Sequence, residues 1–168
     1  MVQTKQQTNK RTEMTKVKIS LLCNYVTPTS APALPKYQTP GSSGLDLYAS
    51  LYNSLPIIIP PNKGALIPTG ISLEIPEGYE GQIRSRSGMA LHHSVVVLNS
   101  PGTIDSDYRG EIKVLLFNHG DKEYTVGTGC RIAQIVFAPI VKVELELMCG
   151  GEETQTIRGK GGFGHTGT

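Results

Sequence analysis

The amino-acid sequence predicts an all-β domain built from short strands, in the form of a sandwich, barrel or jelly roll. Glycine (19 residues) and proline (11 residues) are plentiful in the 168-residue chain, which favours turns over long helices. Apolar and polar residues alternate in several short stretches, the period-2 pattern of strands with one buried face. Turn-forming clusters separate nearly all of these stretches.

At the start of the chain, Lys5, Lys10, Arg11 and Lys16 stand against Glu13 alone within residues 1–16. This basic stretch reads as a disordered extension, with a weak nucleic-acid or targeting role as the alternative. Val17, Ile19 and Leu21 alternate with Lys18 and Ser20 and predict the first strand. Residues 27–41 (TPTSAPALPKYQTPG) cannot be helical, because proline lacks the N–H and restricts the residue before it. Ile71, Leu73 and Ile75, with Ser72 and Glu74 between them, predict another half-buried strand. The one helix candidate is a turn or two near Met89–His92. Strands apolar on both faces are expected at Val95–Leu98, Ile112–Phe117 and Ile132–Phe137.

The cleanest alternation is Val141, Val143, Leu145 and Leu147 against Lys142, Glu144 and Glu146, and it predicts a strand there. Turns are expected at Pro60-Pro61-Asn62, Pro68-Thr69-Gly70, Pro76-Glu77-Gly78 and Asn118-His119-Gly120-Asp121. Beyond Leu147 the chain is glycine-rich and polar, with nothing to form a core. The expected organisation is a disordered extension over 1–16, one β domain over 17–148 and a mobile arm over 149–168.

A chain this long can bury roughly 70% of its unfolded surface in one domain. Its 38% apolar and 18% charged content is that of a soluble globular protein. The net charge of +2 sits largely in the N-terminal extension, so no nucleic-acid partner is expected. Cys23, Cys130 and Cys149 are odd in number and lack metal spacing, which reads as reduced thiols in a cytoplasmic protein. No apolar run is long enough to span a membrane, and the N-terminus lacks a signal-peptide core, so no membrane partner is expected. His92, His93, His119 and His165 show no metal-ligand spacing.

Four features exceed what folding alone requires. In Asn99–Lys113 (NSPGTIDSDYRGEIK), two carboxylates, a tyrosine and an arginine fall within five residues between apolar stretches. The plain reading is a hairpin with a solvated acidic tip; the functional one is a rigid rim of peptide groups that reads a planar heterocycle. Arg84-Ser85-Arg86-Ser87-Gly88 offers amides, a hydroxyl and a guanidinium beside a glycine, the parts of a phosphate cradle. An exposed strand end with solvated arginines is the alternative.

By alternation Gln134 shares a face with Ile132 and Val136, where an amide needs a partner, structural or ligand. Gly159–Gly164 fits GxGxxG by letter but lacks the strand-then-helix context of a dinucleotide site. It reads as a disordered tail, or as a mobile arm that closes over a phosphorylated ligand with Arg158, Phe163 and Thr166.

In order, five segments resemble the motifs of the trimeric dUTPase family: GSSGLDLYA (Gly41–Ala49), RSGMA (Arg86–Ala90), GTIDSDYRGEI (Gly102–Ile112), RIAQIVF (Arg131–Phe137) and RGKGGFGHTG (Arg158–Gly167). The likeness runs from about Val17 to the end. The resemblance implies a jelly-roll-like β-barrel that forms a homotrimer and carries a flexible C-terminal arm. It implies hydrolysis of dUTP to dUMP and pyrophosphate with Mg2+, which removes dUTP and supplies dUMP for thymidylate synthesis. Each active site would draw motifs one, two and four from one subunit, motif three from a second and the arm from a third.

The resemblance also assigns roles. Asp105 would activate the water that attacks the α-phosphorus. Asp46 would reach waters bound to magnesium. Ser87, Gly88 and Gln134 would contact the α- and β-phosphates, with Arg86 nearby. Arg158, Gly164 and Thr166 would close on the γ-phosphate while Phe163 covers the base. Tyr108 would pack beneath the deoxyribose, and Asn99 with the main chain of Gly102, Thr103, Ile104 and Lys113 would pair with the uracil edge.

His165 stands where the family usually has serine, and Met89 where leucine is commoner. Two other readings compete. The related dCTP deaminase would need a catalytic glutamate in place of the Asp105–Tyr108 arrangement. A non-catalytic β-sandwich that binds nucleotide would have no need of an intact Asp105, Tyr108 and arm.

Overall fold

Antiparallel pairing runs through the whole structure, a computed structural model that describes residues 15–22, 31–147 and 155–162. Most of the expected basic extension, Cys23, Cys149, Phe163, Gly164, His165 and Thr166 lie outside the described residues. In chain order the strands are β1 (Lys18–Leu21), β2 (Leu45–Tyr48), β3 (Ile57–Ile59), β4 (Gly64–Pro68), β5 (Ile71–Glu74) and β6 (Tyr79–Arg84). The helix α1 (Ser87–His93) follows, then β7 (Val95–Val97), β8 (Gly102–Ile104), β9 (Lys113–Asn118), β10 (Tyr124–Val126) and β11 (Arg131–Pro139).

The strands form four small sheets, ordered β2-β11-β6-β8, β4-β9-β7, β1-β5 and β10-β3. Between them lies one core that includes the fully buried Leu47, Ile67, Ile71, Leu116, Ile132 and Ile135. Each such side chain contributes about 1.5–3 kcal/mol on burial.

The predicted strands at 71–75, 95–98, 112–117 and 132–137 and the predicted helix turn all appear, within one or two residues. The three strands expected to be apolar on both faces are asymmetric: Val114 and Leu116 are fully buried, while Leu115 and Phe117 between them are only partly covered. The turns fall where expected, with Asn62, Gly70 and Gly78 at φ of 57, 70 and 85°. Residues 31–41 contain no helix.

Three expectations are corrected. Residues 141–147 are not a strand; Val141, Val143, Leu145 and Leu147 are 87, 74, 91 and 85% exposed. Their alternation is real, but β11 ends at Pro139 and no sheet among the described residues takes the segment up. The stretch through Asp105 is not a hairpin, because β8 pairs with β6 while β9 pairs with β4 and β7. The intervening loop instead carries the chain from one sheet to another.

Gln134 does not share the face of Ile132. A register shift between Arg131 and Ala133 buries both Ile132 and Ala133 and sets Ala133 and Ile135 inward, leaving Gln134 and Val136 on the opposite, half-covered face. β1 forms as predicted and pairs with β5, yet Ile19 and Leu21 remain 38 and 40% exposed.

Asn118, at the end of β9, is completely buried and ties three segments together. Its Nδ2 donates to the carbonyls of Ile59 (2.9 Å) and Lys122 (2.7 Å), and its Oδ1 accepts from the Gly120 amide (2.9 Å). Asn118→Ala strands these groups and is expected to lower stability by about 3 kcal/mol, measured by urea denaturation at fixed protein concentration.

Candidate functional site

Two groups of polar residues stand out, and they lie at opposite ends of β6. The first is the loop between β8 and β9. The Tyr108 amide donates to the Asp105 carbonyl (3.2 Å), closing a turn over Ser106 and Asp107. Arg109 folds back, its Nη1 donating to the carbonyls of Ser106 (2.7 Å) and Tyr108 (2.9 Å). The Tyr108 hydroxyl donates to the Glu111 carbonyl (3.1 Å), and the ring lies across Gly110, where a Cβ would come 2.6 Å from Tyr108 Cζ. Only glycine leaves room for the ring there. The loop's far end is pinned by the Thr69 hydroxyl, which donates to the Ile112 carbonyl (2.5 Å), and by the Ile112 amide, which donates to the Ile71 carbonyl (2.9 Å).

Two clefts flank this loop. One, about 450 Å3, is lined by Leu66, Thr103, Ile104, Asp105, Tyr108, Glu111 and Lys113. The other, about 580 Å3, is lined by Glu77, Tyr79, Glu80, Asp105, Ser106, Asp107, Arg109 and Lys142 among others. The larger cleft gathers four carboxylates against two cations, Arg109 and Lys142. The smaller one combines two carboxylates (Asp105 and Glu111), a lysine, an exposed aromatic face (Tyr108, 44% exposed) and strand backbone. β8 is an edge strand: one side pairs with β6, and the other has no strand partner among the described residues. Asn99 packs against Gly102, at the start of this edge.

The second group gathers where β2, β11 and β6 meet. Asp46, 8% exposed, accepts from Arg86 Nε through Oδ1 (3.2 Å) and from Arg131 Nη1 through Oδ2 (3.2 Å). Arg86 Nη1 also donates to the Arg131 carbonyl (3.1 Å), while its Nη2 has no partner among the described residues. Gln134 lies opposite Asp46 on β2 and Arg84 on β6, and its Nε2 donates to the Ser85 carbonyl (3.1 Å). The Ser85 hydroxyl accepts from the Val97 amide (2.8 Å), so Ser85 is structural. Ser87 and Gly88 are exposed at the first turn of α1, where amides have no intrahelical partner.

The helix is supported from behind by Tyr124, whose ring centre is 5.1 Å from that of His93. Burial pushes the Tyr124 hydroxyl above the usual phenol range, with the Cys130 thiol adding to this and Arg86 opposing it.

Sequence reasoning passed over two members of these groups. Arg131 reads as a solvated charge at a strand start until its partner Asp46, 85 residues away, is brought alongside. Glu111 reads as a turn residue, yet its side chain is only 12% exposed. Arg158 contacts neither group among the described residues; its Nε donates locally to the Gly161 carbonyl (2.8 Å). The described residues include no cluster of three or more His, Cys, Asp or Glu able to cage a metal. None of their helices is long and apolar enough to cross a membrane.

The two groups do not meet within one chain. Ile104 pairs with Gly81, so Asp105 sits near the start of β6, while Arg86 follows its end. Five residues of extended chain between positions 81 and 86 span about 16 Å.

The family model described as dUTPase matches residues 31–167. The chain belongs to the dUTPase family. It is 56% identical over 137 residues to the deoxyuridine 5'-triphosphate nucleotidohydrolase of Mesorhizobium japonicum, covering 80% of this chain and 83% of that one. It is 54% identical over 138 residues to the Chlamydia pneumoniae protein of the same name, covering 82% and 93%. The fold matches that of Staphylococcus bacteriophage 80alpha dUTPase solved with dUPNHPP, at a TM-score of 0.78 and 25% identity, over 92% of this chain and all of that one. The family and the jelly-roll-like β fold expected from the five motifs are thereby borne out. The matched range begins after the basic N-terminal stretch.

Because Gly110 makes room for the Tyr108 ring, Gly110→Ala is expected to displace that ring while leaving the β fold intact. The check is the position of Tyr108 in a crystal structure of the variant, together with an unchanged far-ultraviolet circular dichroism spectrum.

Proposed function

We propose that this dUTPase-family protein hydrolyses dUTP to dUMP and pyrophosphate, at sites shared between the copies of a homotrimer. The observation that carries this reading is the edge strand β8 beside Asp105 and Tyr108. An edge strand offers unpaired N–H and C=O groups in alternation. Uracil presents a donor flanked by two acceptors, and the main chain of Gly102, Thr103, Ile104 and Lys113, with Asn99, supplies the complement. Cytosine exchanges donor for acceptor and leaves buried groups unpaired, a mismatch worth about 10⁴-fold in discrimination. Tyr108, lying flat over Gly110, takes the deoxyribose and leaves no space for a 2′-hydroxyl.

The chemistry follows from the same loop. The Asp105 carboxylate accepts a proton from water as the water oxygen attacks the α-phosphorus. The bond from that phosphorus to the bridging oxygen breaks, and pyrophosphate leaves with the electron pair. Such a displacement depends chiefly on positioning and on neutralising charge.

The parts for this lie in the second group. Arg86, Ser87, Gly88 and Gln134 receive the α- and β-phosphates, and Asp46 holds Arg86 and Arg131 in place. Magnesium would be held mainly by triphosphate oxygens, and Asp46, the carboxylate beside Arg86, would reach it through bound water. Magnesium supplies neutralisation of charge building on the phosphate oxygens. Arg158, Gly164 and Thr166 of the arm 149–168 close on the γ-phosphate, and Phe163 covers the base. His165, in place of the usual serine, offers an N–H there.

The distance between the two groups supports the trimer. Water held at Asp105 cannot reach a phosphorus bound at Arg86 of the same chain, about 16 Å along β6. Juxtaposing them requires a second copy, and a head-to-tail contact that closes after three copies makes three equal sites. Apolar surface awaits cover in two places. One is the 141–147 segment; the other is a groove of about 160 Å3 formed by Val17, Ile19, Pro35, Leu45, Leu73, Ile135 and Phe137. In the cell such an enzyme removes dUTP and supplies dUMP for thymidylate synthesis.

The test is pyrophosphate release from dUTP in the presence of magnesium. Asp105→Asn is expected to lower turnover by about 10³-fold while dUTP affinity stays within about threefold. Ammonia release without pyrophosphate would point instead to a deaminase.

A further inference from the structure

The Glu111 carboxylate lines the cleft that holds Asp105 and Tyr108, and it faces away from solvent. Its Oε1 accepts from the Gly70 amide at 2.9 Å, and its Oε2 lies 3.6 Å from Lys113 Nζ. Gly70 is buried and closely confined. It sits at φ 70° in the β4–β5 turn, its carbonyl accepts from the Leu22 amide (2.9 Å), and a Cβ there would come 2.6 Å from Pro32 Cγ. The carboxylate therefore grips a fixed point of the framework. The same residue's main-chain carbonyl receives the Tyr108 hydroxyl.

We propose that Glu111 is a positioning residue for substrate selection, holding the 105–112 loop against the Gly70 amide so that Tyr108 stays in place as the floor for the sugar. This rests on reading the cleft as the deoxyuridine site. Two neighbouring bonds fix the loop's end: Thr69 to the Ile112 carbonyl, and the Ile112 amide, in the same peptide plane as the Glu111 carbonyl, to Ile71; the Glu111 carboxylate adds a tether on the loop side of that plane. Without the carboxylate the Gly70 amide is a buried donor with no acceptor, and the Glu111–Ile112 peptide, whose carbonyl receives Tyr108, loses one of the bonds that hold it. The ion pair with Lys113 is secondary: Lys113 is 45% exposed, and pairs of that kind contribute little.

Reach and charge can be separated by substitution. Glu111→Gln keeps the length and an acceptor oxygen but removes the charge. Glu111→Asp keeps the charge but is one methylene short of the Gly70 amide. With full-length protein, magnesium, and dUTP or UTP as substrate, Glu111→Gln is expected to keep KM and the dUTP-to-UTP preference within about threefold of the parent. Glu111→Asp is expected to raise KM for dUTP and erode the sugar preference, each by about tenfold, equivalent to about 1.4 kcal/mol, with a modest loss of thermal stability and an unchanged far-ultraviolet circular dichroism spectrum.

An Asp variant with parental KM and sugar preference overturns the proposal, as does a Gln variant that loses as much as Asp. If the parent protein itself releases no pyrophosphate from dUTP, the functional reading fails. A parent that turns over normally beside an indifferent Glu111 series removes only the role of Glu111.

Discussion

The loop over residues 105–112 depends on being held to the turn at residues 69–71. It leaves the edge of one sheet at Ile104 and enters the centre of another at Lys113, so neither strand ladder restrains it. Among the described residues, three hydrogen bonds tie it to one short turn: Thr69 to Ile112, Ile112 to Ile71, and Gly70 to Glu111. Rigidity here matters for chemistry. If the loop is the deoxyuridine site proposed above, excluding a 2′-hydroxyl or the methyl of thymine requires a wall that does not yield, because a compliant apolar pocket discriminates by only about 10–200-fold.

A second constraint acts at the far end of β6. Asp46 holds two guanidinium groups with its two oxygens, an arrangement that fixes Arg86 without using all its donors. Removing the carboxylate would leave two partly buried cations facing each other. The two centres stand at opposite ends of β6. This division, together with the uncovered apolar residues at 141–147, is the physical reason for reading the chain as one part of an assembly.

Much of the fold was legible in the sequence, since alternation and turn chemistry are local signals. Ile71–Ile75, the turns at Asn62, Gly70 and Gly78, and the short helix at Met89 follow from residues that are neighbours in the chain. What failed needed information from elsewhere in the chain. The alternation at 141–147 marks a strand-forming segment but says nothing about which chain supplies its partner. The face of Gln134 was misjudged because a single register shift near Arg131 inverts everything after it. The supposed hairpin through Asp105 looked local, and only the pairing of β8 with β6 reveals that its arms separate.

The site was legible as letters more than as physics. Asp105, Tyr108, Arg86 and Gln134 were singled out by residue type and by the family's motifs. The partners that orient them were not, because Asp46 meets Arg131 across 85 positions and Gly70 meets Glu111 across 41.

Sharing of sites between copies is the central claim, and complementation tests it most directly. Asp105→Asn and Arg86→Ala chains, each inactive alone, are co-refolded in equal amounts and assayed for pyrophosphate release from dUTP. If Asp105 and Arg86 serve one site from different copies, random trimers regain about a quarter of the parental activity, because one in four adjacent pairs supplies both intact residues. A mixture that stays as inactive as its separate components would contradict the account.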